Sequence, residues 1–84
     1  MADLLQLEIA TPEKLVANVS VEYAEIPGKD GYMGILPGHA ALLSELGDGI
    51  LKYTSQGKTD EVHVTGGYVE VRDNHVRVLA DKAQ

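Results

Sequence analysis

Tyr68-Val69-Glu70-Val71-Arg72-Asp73-Asn74-His75-Val76-Arg77-Val78-Leu79 is the stretch that decides the fold class. Apolar and polar residues alternate through it with a period of two, the pattern of strands with one buried face. Asp73-Asn74 suits a two-residue turn that needs positive φ. With those two at the tip, Arg72 faces His75, Val71 faces Val76, Glu70 faces Arg77, Val69 faces Val78 and Tyr68 faces Leu79. The valine pairs share one face. On the other, Glu70 and Arg77 oppose unlike charges, worth about 0.2–1 kcal/mol. A slip of one residue would mix the faces, so the pattern sets the register.

The same period continues upstream. Leu5, Leu7 and Ile9 alternate with Gln6, Glu8 and Ala10, and Thr11-Pro12 stops that strand because proline cannot donate to a ladder. Leu15 to Ile26 is rich in β-branched residues and reads as one long strand or two joined by a bend, ended by a turn at Pro27-Gly28. Gly31 to Gly38 predicts a shaped loop around one short strand. Ala40 to Leu46 is ambiguous, with helix-favouring propensities in a short segment. Ile50 to Thr54 and Val62 to Thr65 read as strands joined by a turn at Ser55-Gln56-Gly57. Gly66-Gly67 interrupts the alternation and predicts a bulge or a close backbone approach. The polar end Asp81-Lys82-Ala83-Gln84 is expected to fray. Several short strands with frequent turns make an all-β sandwich or barrel in one domain, residues 1–84.

Composition narrows the function. A chain of 84 residues that is 44% apolar, with four Tyr and no Phe or Trp, must build its core from Val, Leu, Ile and Ala. Thirteen acidic against seven basic residues give a net charge of −6, and the basic ones are scattered in sequence, which disfavours nucleic acid and anionic lipid as partners. Having no cysteine excludes disulfides, thiolate catalysis and Cys-ligated zinc. Met1-Ala2-Asp3 is acidic and opens no long apolar run, so no signal peptide is expected, and no segment is long enough for a membrane helix.

No catalytic constellation emerges. His39, His63 and His75 lack metal-ligand spacing, and His63 and His75 fall at alternate, exposed strand positions. Ser44 and Asp48 follow His39, but no Gly-x-Ser-x-Gly elbow accompanies them. Gly57-Lys58-Thr59 imitates the end of a phosphate loop, yet Lys52 stands where that motif needs its first glycine, and a strand follows instead of a helix. Gly28, Gly31 and Gly34 are too evenly spaced for a dinucleotide fingerprint. The expectation is a non-catalytic domain with no cofactor, no metal and no nucleotide site. Tyr32, Met33, Leu36, Leu42 and Leu43 are more apolar residues than a loop usually carries, and exposed apolar clusters mark interaction sites. On chemistry alone the chain is an all-β binding module, and an unrelated adaptor or ligand-binding domain stays open.

Gly31-x-x-Gly34-Ile35-Leu36-Pro37-Gly38-His39-Ala40-x-Leu42-Leu43, followed by Leu46-Gly47-Asp48-Gly49-Ile50-Leu51, resembles the signature of the bacterial ATP synthase epsilon subunit, N-terminal domain. Ile9-Ala10-Thr11-Pro12, Thr65-Gly66-Gly67-Tyr68-Val69-Glu70-Val71 and Val76-Arg77-Val78-Leu79-Ala80-Asp81 match its flanks, so the resemblance spans essentially the whole chain. It implies an antiparallel β-sandwich of two sheets with about ten short strands, and makes Ala41 to Leu46 strand against its propensity.

By that resemblance the domain is a central-stalk rotor part of F1Fo ATP synthase. It binds the gamma subunit, touches the ring of c subunits, and couples proton flow to ATP synthesis without catalysing it. It sits peripherally on the cytoplasmic face of the bacterial inner membrane, with no lipid insertion of its own. Gly31, Tyr32 and Met33 would meet the c-ring, Tyr32 standing where the family often has an acidic residue. His39, Leu42, Leu43, Tyr68 and Leu79 would meet gamma if they lie on the outer side of the sandwich; the alternative places Leu42 in its core. Family members continue into a C-terminal helical pair that inhibits hydrolysis and in some binds ATP; the chain stops at Gln84, so neither role is carried over.

Overall fold

The computed structural model describes residues 3–84; Met1 and Ala2, with the amino-terminal reading made on them, lie outside the described residues. Eight strands follow in order: β1 Leu5–Ala10, β2 Leu15–Val21, β3 Tyr23–Gly28, β4 Gly31–Ile35, β5 Leu42–Glu45, β6 Asp48–Ser55, β7 Lys58–Arg72 and β8 His75–Ala83. They are hydrogen-bonded in the order β2-β1-β8-β7-β6-β3-β4, with β5 pairing β7. The all-β expectation holds. The strands number eight among the described residues, and one pair, β1 with β8, is parallel.

The β7–β8 hairpin has the expected register at every pair from Arg72–His75 to Tyr68–Leu79. Asp73 and Asn74 turn it with φ of 50° and 62°, both in the left-handed region that a type I′ turn demands. The expected partner of Arg77 is not the one it takes. Its Nε lies 3.3 Å from Glu8 Oε1 on parallel β1, while Glu70 remains only its register neighbour.

β1 stops at Thr11, whose hydroxyl accepts the Glu13 and Lys14 N–H groups at 3.2 Å each and builds the turn into β2. The Leu15–Ile26 segment is two strands bent at Glu22. That bend is fastened to the end of β6: Glu22 N–H donates to Thr54 O at 2.8 Å, and the Gln56 N–H donates to the Glu22 carboxylate at 3.0 Å. Pro27-Gly28 is not the turn. Both residues lie in β3 opposite Tyr32 and Gly31, and the chain reverses at Lys29-Asp30. Pro27 is tolerated there because the strand needs its carbonyl, which accepts the Gly47 N–H at 2.8 Å. The ambiguous segment is strand β5. Gln56-Gly57 is a hairpin turn, which accounts for the Gly57-Lys58-Thr59 pattern.

Gly66-Gly67 does not insert a residue. Thr65–Lys82 and Gly67–Ala80 keep one register across it, so the bulge expectation fails and the close-approach expectation stands. Positive φ at both glycines, 62° and 105°, rotates β7. Val62 and Val64 point inward before them, Val69 and Val71 after, so the inward parity changes. A Cβ at Gly67 would run into the Leu79 carbonyl. β7 also changes partner here, from β6 at Thr65 to β5 at Tyr68. One long strand thus serves both layers, and the ladder doubles back around a single core. Leu5, Leu7, Ile9, Val69, Val71, Val76 and Val78 line one side, Ala24, Ile26, Ile35, Leu51, Val62 and Val64 the other. The carboxy-terminal residues do not fray: β8 runs to Ala83, and Gln84 exchanges backbone hydrogen bonds with His63 at 2.8 and 3.0 Å.

Candidate functional site

Register places the outer residues of the β5–β7–β8–β1–β2 layer in rows, because cross-strand partners share a face. One row runs Glu45, Tyr68, Leu79, Ala10, Leu15; the next runs Leu43, Glu70, Arg77, Glu8, Asn18. A third holds Arg72, His75, Gln6 and Ser20. Polar groups here answer one another. Gln6 donates to Asn18 at 2.7 Å, Ser20 donates to Gln6 at 3.1 Å, and Arg77 reaches Glu8. Arg72 and Arg77 line one depression on this face together with Glu70, Asp73 and His75, and they lie beside Asp73 and Glu8 respectively.

The first row is different. Tyr68, Leu79 and Leu15 are each more than half exposed, and Leu43 in the neighbouring row is 72% exposed. Beside Tyr68 and Leu79 runs a shallow groove walled by Pro12 and floored at Gly67. Four large apolar side chains on one sheet face form a patch that gains by being covered.

The residues singled out in the sequence divide. Leu43, Tyr68 and Leu79 share this face. Leu42 does not: it pairs with buried Val71 and packs half-buried against the core, so of its two expected placements the core one holds and the gamma-facing one is corrected. Strand parity gives the reason, since Leu42 and Leu43 are neighbours on β5. His39 lies exposed in the turn before β5, its N–H donating to Leu36 O at 3.1 Å. Ala10 and Leu15 escaped the sequence reading because their place in the row depends on the β1–β8 pairing.

The second group, Gly31, Tyr32 and Met33, starts β4. Gly31 is exposed, with φ of 136°. Tyr32 is 57% exposed on the outer side of the β3–β4–β6 layer, near Glu25, Lys52 and Glu61. Its hydroxyl accepts the Ile50 N–H at 3.1 Å, closing the gap where β3 parts from β6. Gly49 makes room for the ring, since a Cβ there would lie 2.5 Å from the Tyr32 hydroxyl. Met33 points the other way, half-buried against the core, so Tyr32 and Met33 cannot present one face.

His63 and His75 are exposed strand residues as expected. His63 Nε2 lies 2.8 Å from Asp48 Oδ1 across the β6–β7 pair. Tyr53 is half-buried, and burial, helped by the Asp60 charge opposite it, pushes its hydroxyl above the usual tyrosine range.

Comparison with known proteins agrees with this architecture. The model of a family described as the ATP synthase delta/epsilon chain beta-sandwich domain matches residues 4–84. The chain belongs to that family.

This delta/epsilon sandwich is 49% identical over 84 residues to the ATP synthase epsilon chain of Carboxydothermus hydrogenoformans, and 48% to that of Solibacter usitatus. All of the chain is aligned in both cases, and it spans 63% of each relative's length. Among solved structures, it superposes with a TM-score of 0.90 and 26% identity on a chain of the Euglena gracilis mitochondrial ATP synthase OSCP/F1/c-ring assembly, covering 96% of this chain and 52% of that one. A chain from the Tetrahymena thermophila mitochondrial ATP synthase central stalk and c-ring shares the fold, with a TM-score of 0.80 at 21% identity.

Proposed function

We propose that this delta/epsilon sandwich is a non-catalytic coupling part of an ATP synthase rotor. The Leu43–Tyr68–Leu79 face, extended by Leu15 and by the turn that carries exposed His39, is the surface for the gamma subunit. The β3–β4 end, through Gly31 and Tyr32, is the surface for the c-subunit ring. The reading is carried by one observation: an exposed apolar row on one sheet face, in a chain of this family. Buried in an interface, each large side chain of that row contributes about 1.5–3 kcal/mol by area, less the losses of association.

The role demands stiffness, and a packed sandwich provides it because ladders and close-packed side chains resist shear. No helix among the described residues is long and apolar enough to cross a membrane. In this reading attachment to the cytoplasmic face of the bacterial membrane runs through the c-ring. Proton flow is the driving process in this reading.

The test is a pull-down of purified gamma and c subunits by this chain, together with Tyr32→Cys crosslinking in an assembled complex. Capture of gamma, and crosslinks from position 32 to c-subunit loops, are expected. Failure to retain gamma, or crosslinks to gamma alone, would refute the assignment of the two surfaces.

A further inference from the structure

We propose that Asn74 is a positioning residue, holding the Leu36–His39 turn in the shape that meets the gamma subunit; the inference rests on the coupling role above. The turn has Pro37 followed by Gly38 at φ 87°, closed by the His39 N–H donating to Leu36 O at 3.1 Å. That is a type II turn, with proline and a positive-φ glycine at its two central places. In such a turn the central peptide stands across the ring, so the Gly38 N–H has no acceptor within it. A backbone donor left without a partner is costly wherever water is displaced, as it is when a second protein covers the turn.

Asn74 supplies the acceptor. Its Oδ1 takes the Gly38 N–H at 2.7 Å, a contact between residues 36 positions apart. Its own carbonyl accepts the Gln6 N–H at 2.8 Å. One residue at the hairpin tip therefore ties together the β7–β8 turn, the start of β1 and the turn that carries exposed Leu36 and His39. The position asks two things of its side chain. It must tolerate φ of 62°, and it must carry an acceptor oxygen three bonds from its Cα, at the Oδ1 position. Glycine meets the first demand and asparagine or aspartate meets both.

That distinction gives the test. Asn74→Gly keeps the hairpin, since Asp-Gly is itself a favoured type I′ pair, and removes the acceptor. Asn74→Asp keeps both. In this chain the Gly38 amide should exchange about 2- to 10-fold faster in Asn74→Gly, the range set by one ordinary hydrogen bond. Affinity for gamma should fall by a factor of about the same size. Asn74→Asp should restore both, which loss of general stability would not predict. Unchanged Gly38 exchange in Asn74→Gly would overturn the clamp. Faster exchange with undiminished gamma affinity would overturn its role in binding. Absence of gamma binding by the unmodified chain would overturn the coupling role, and the binding half of this proposal with it. The exchange measurement needs no partner and decides the clamp alone.

Discussion

Leu42 and Leu43 differ by one position and should differ in kind. Leu42 is half-buried against the core beside Val71, whereas Leu43 is 72% exposed beside Glu70. Full burial of a leucine is worth about 1.5–3 kcal/mol, so half-burial accounts for roughly 1–1.5 kcal/mol. An aspartate at that site adds the cost of a carboxylate held partly away from water, about 1–3 kcal/mol. Leu42→Asp should therefore cost about 2–4 kcal/mol. A domain of this length has a total stability of about 4–13 kcal/mol, and each kcal/mol moves the midpoint by about 4–8 °C. A fall of about 10–30 °C is expected by circular dichroism. Leu43→Asp should change stability by no more than about 0.5 kcal/mol, while weakening gamma binding about 10- to 100-fold, the loss of one interface leucine. Titration calorimetry against gamma reads the second effect. If Leu42→Asp melts with the unmodified chain, or Leu43→Asp melts as low as Leu42→Asp, the parity of β5 argued above is wrong.

Gly67→Ala should destabilise strongly, by about 2–4 kcal/mol from backbone strain plus collision with the Leu79 carbonyl, whereas Gly57→Ala, with open space around it and φ of 78°, should cost only about 1 kcal/mol; equal urea midpoints would contradict this. Tyr32→Phe removes the acceptor of the Ile50 N–H and should cost about 0.5–1.5 kcal/mol, with faster Ile50 amide exchange as the check. The Tyr53 hydroxyl is raised above 10.0, so the folded state holds its proton longer than the unfolded state does. Its contribution is intact below pH 10.0 and is lost as pH climbs through the folded value. Tyr53→Phe should flatten the alkaline fall in stability, and Asp60→Asn should lessen it; an unaltered pH profile in Tyr53→Phe would refute the linkage.

The β7–β8 hairpin was legible residue by residue because everything that specifies it is local. Two alternating runs flank Asp73-Asn74, and only one register puts all the valines on one face. The family signature around Gly34-Ile35-Leu36-Pro37-Gly38-His39 was equally legible, and it made a strand of a segment whose own propensities favour helix. What needed the tertiary structure was every choice between partners distant in the chain. Arg77 had Glu70 opposite it on the hairpin, yet it turned to Glu8, 69 positions away, because β1 lies parallel on its other side. The same pairing assembled the Tyr68–Leu79–Ala10–Leu15 row, which no single segment displays. Leu42 and Leu43 are chemically identical, and only the register of β5 on β7 sends one inward and the other out. Gly66-Gly67 announced an interruption, but whether it would bulge or twist depended on the Leu79 carbonyl packed against it. Period and turn chemistry act over a few residues and are written in the chain. Long-range pairing is settled when the faces so defined compete for one core, and that competition is decided by packing.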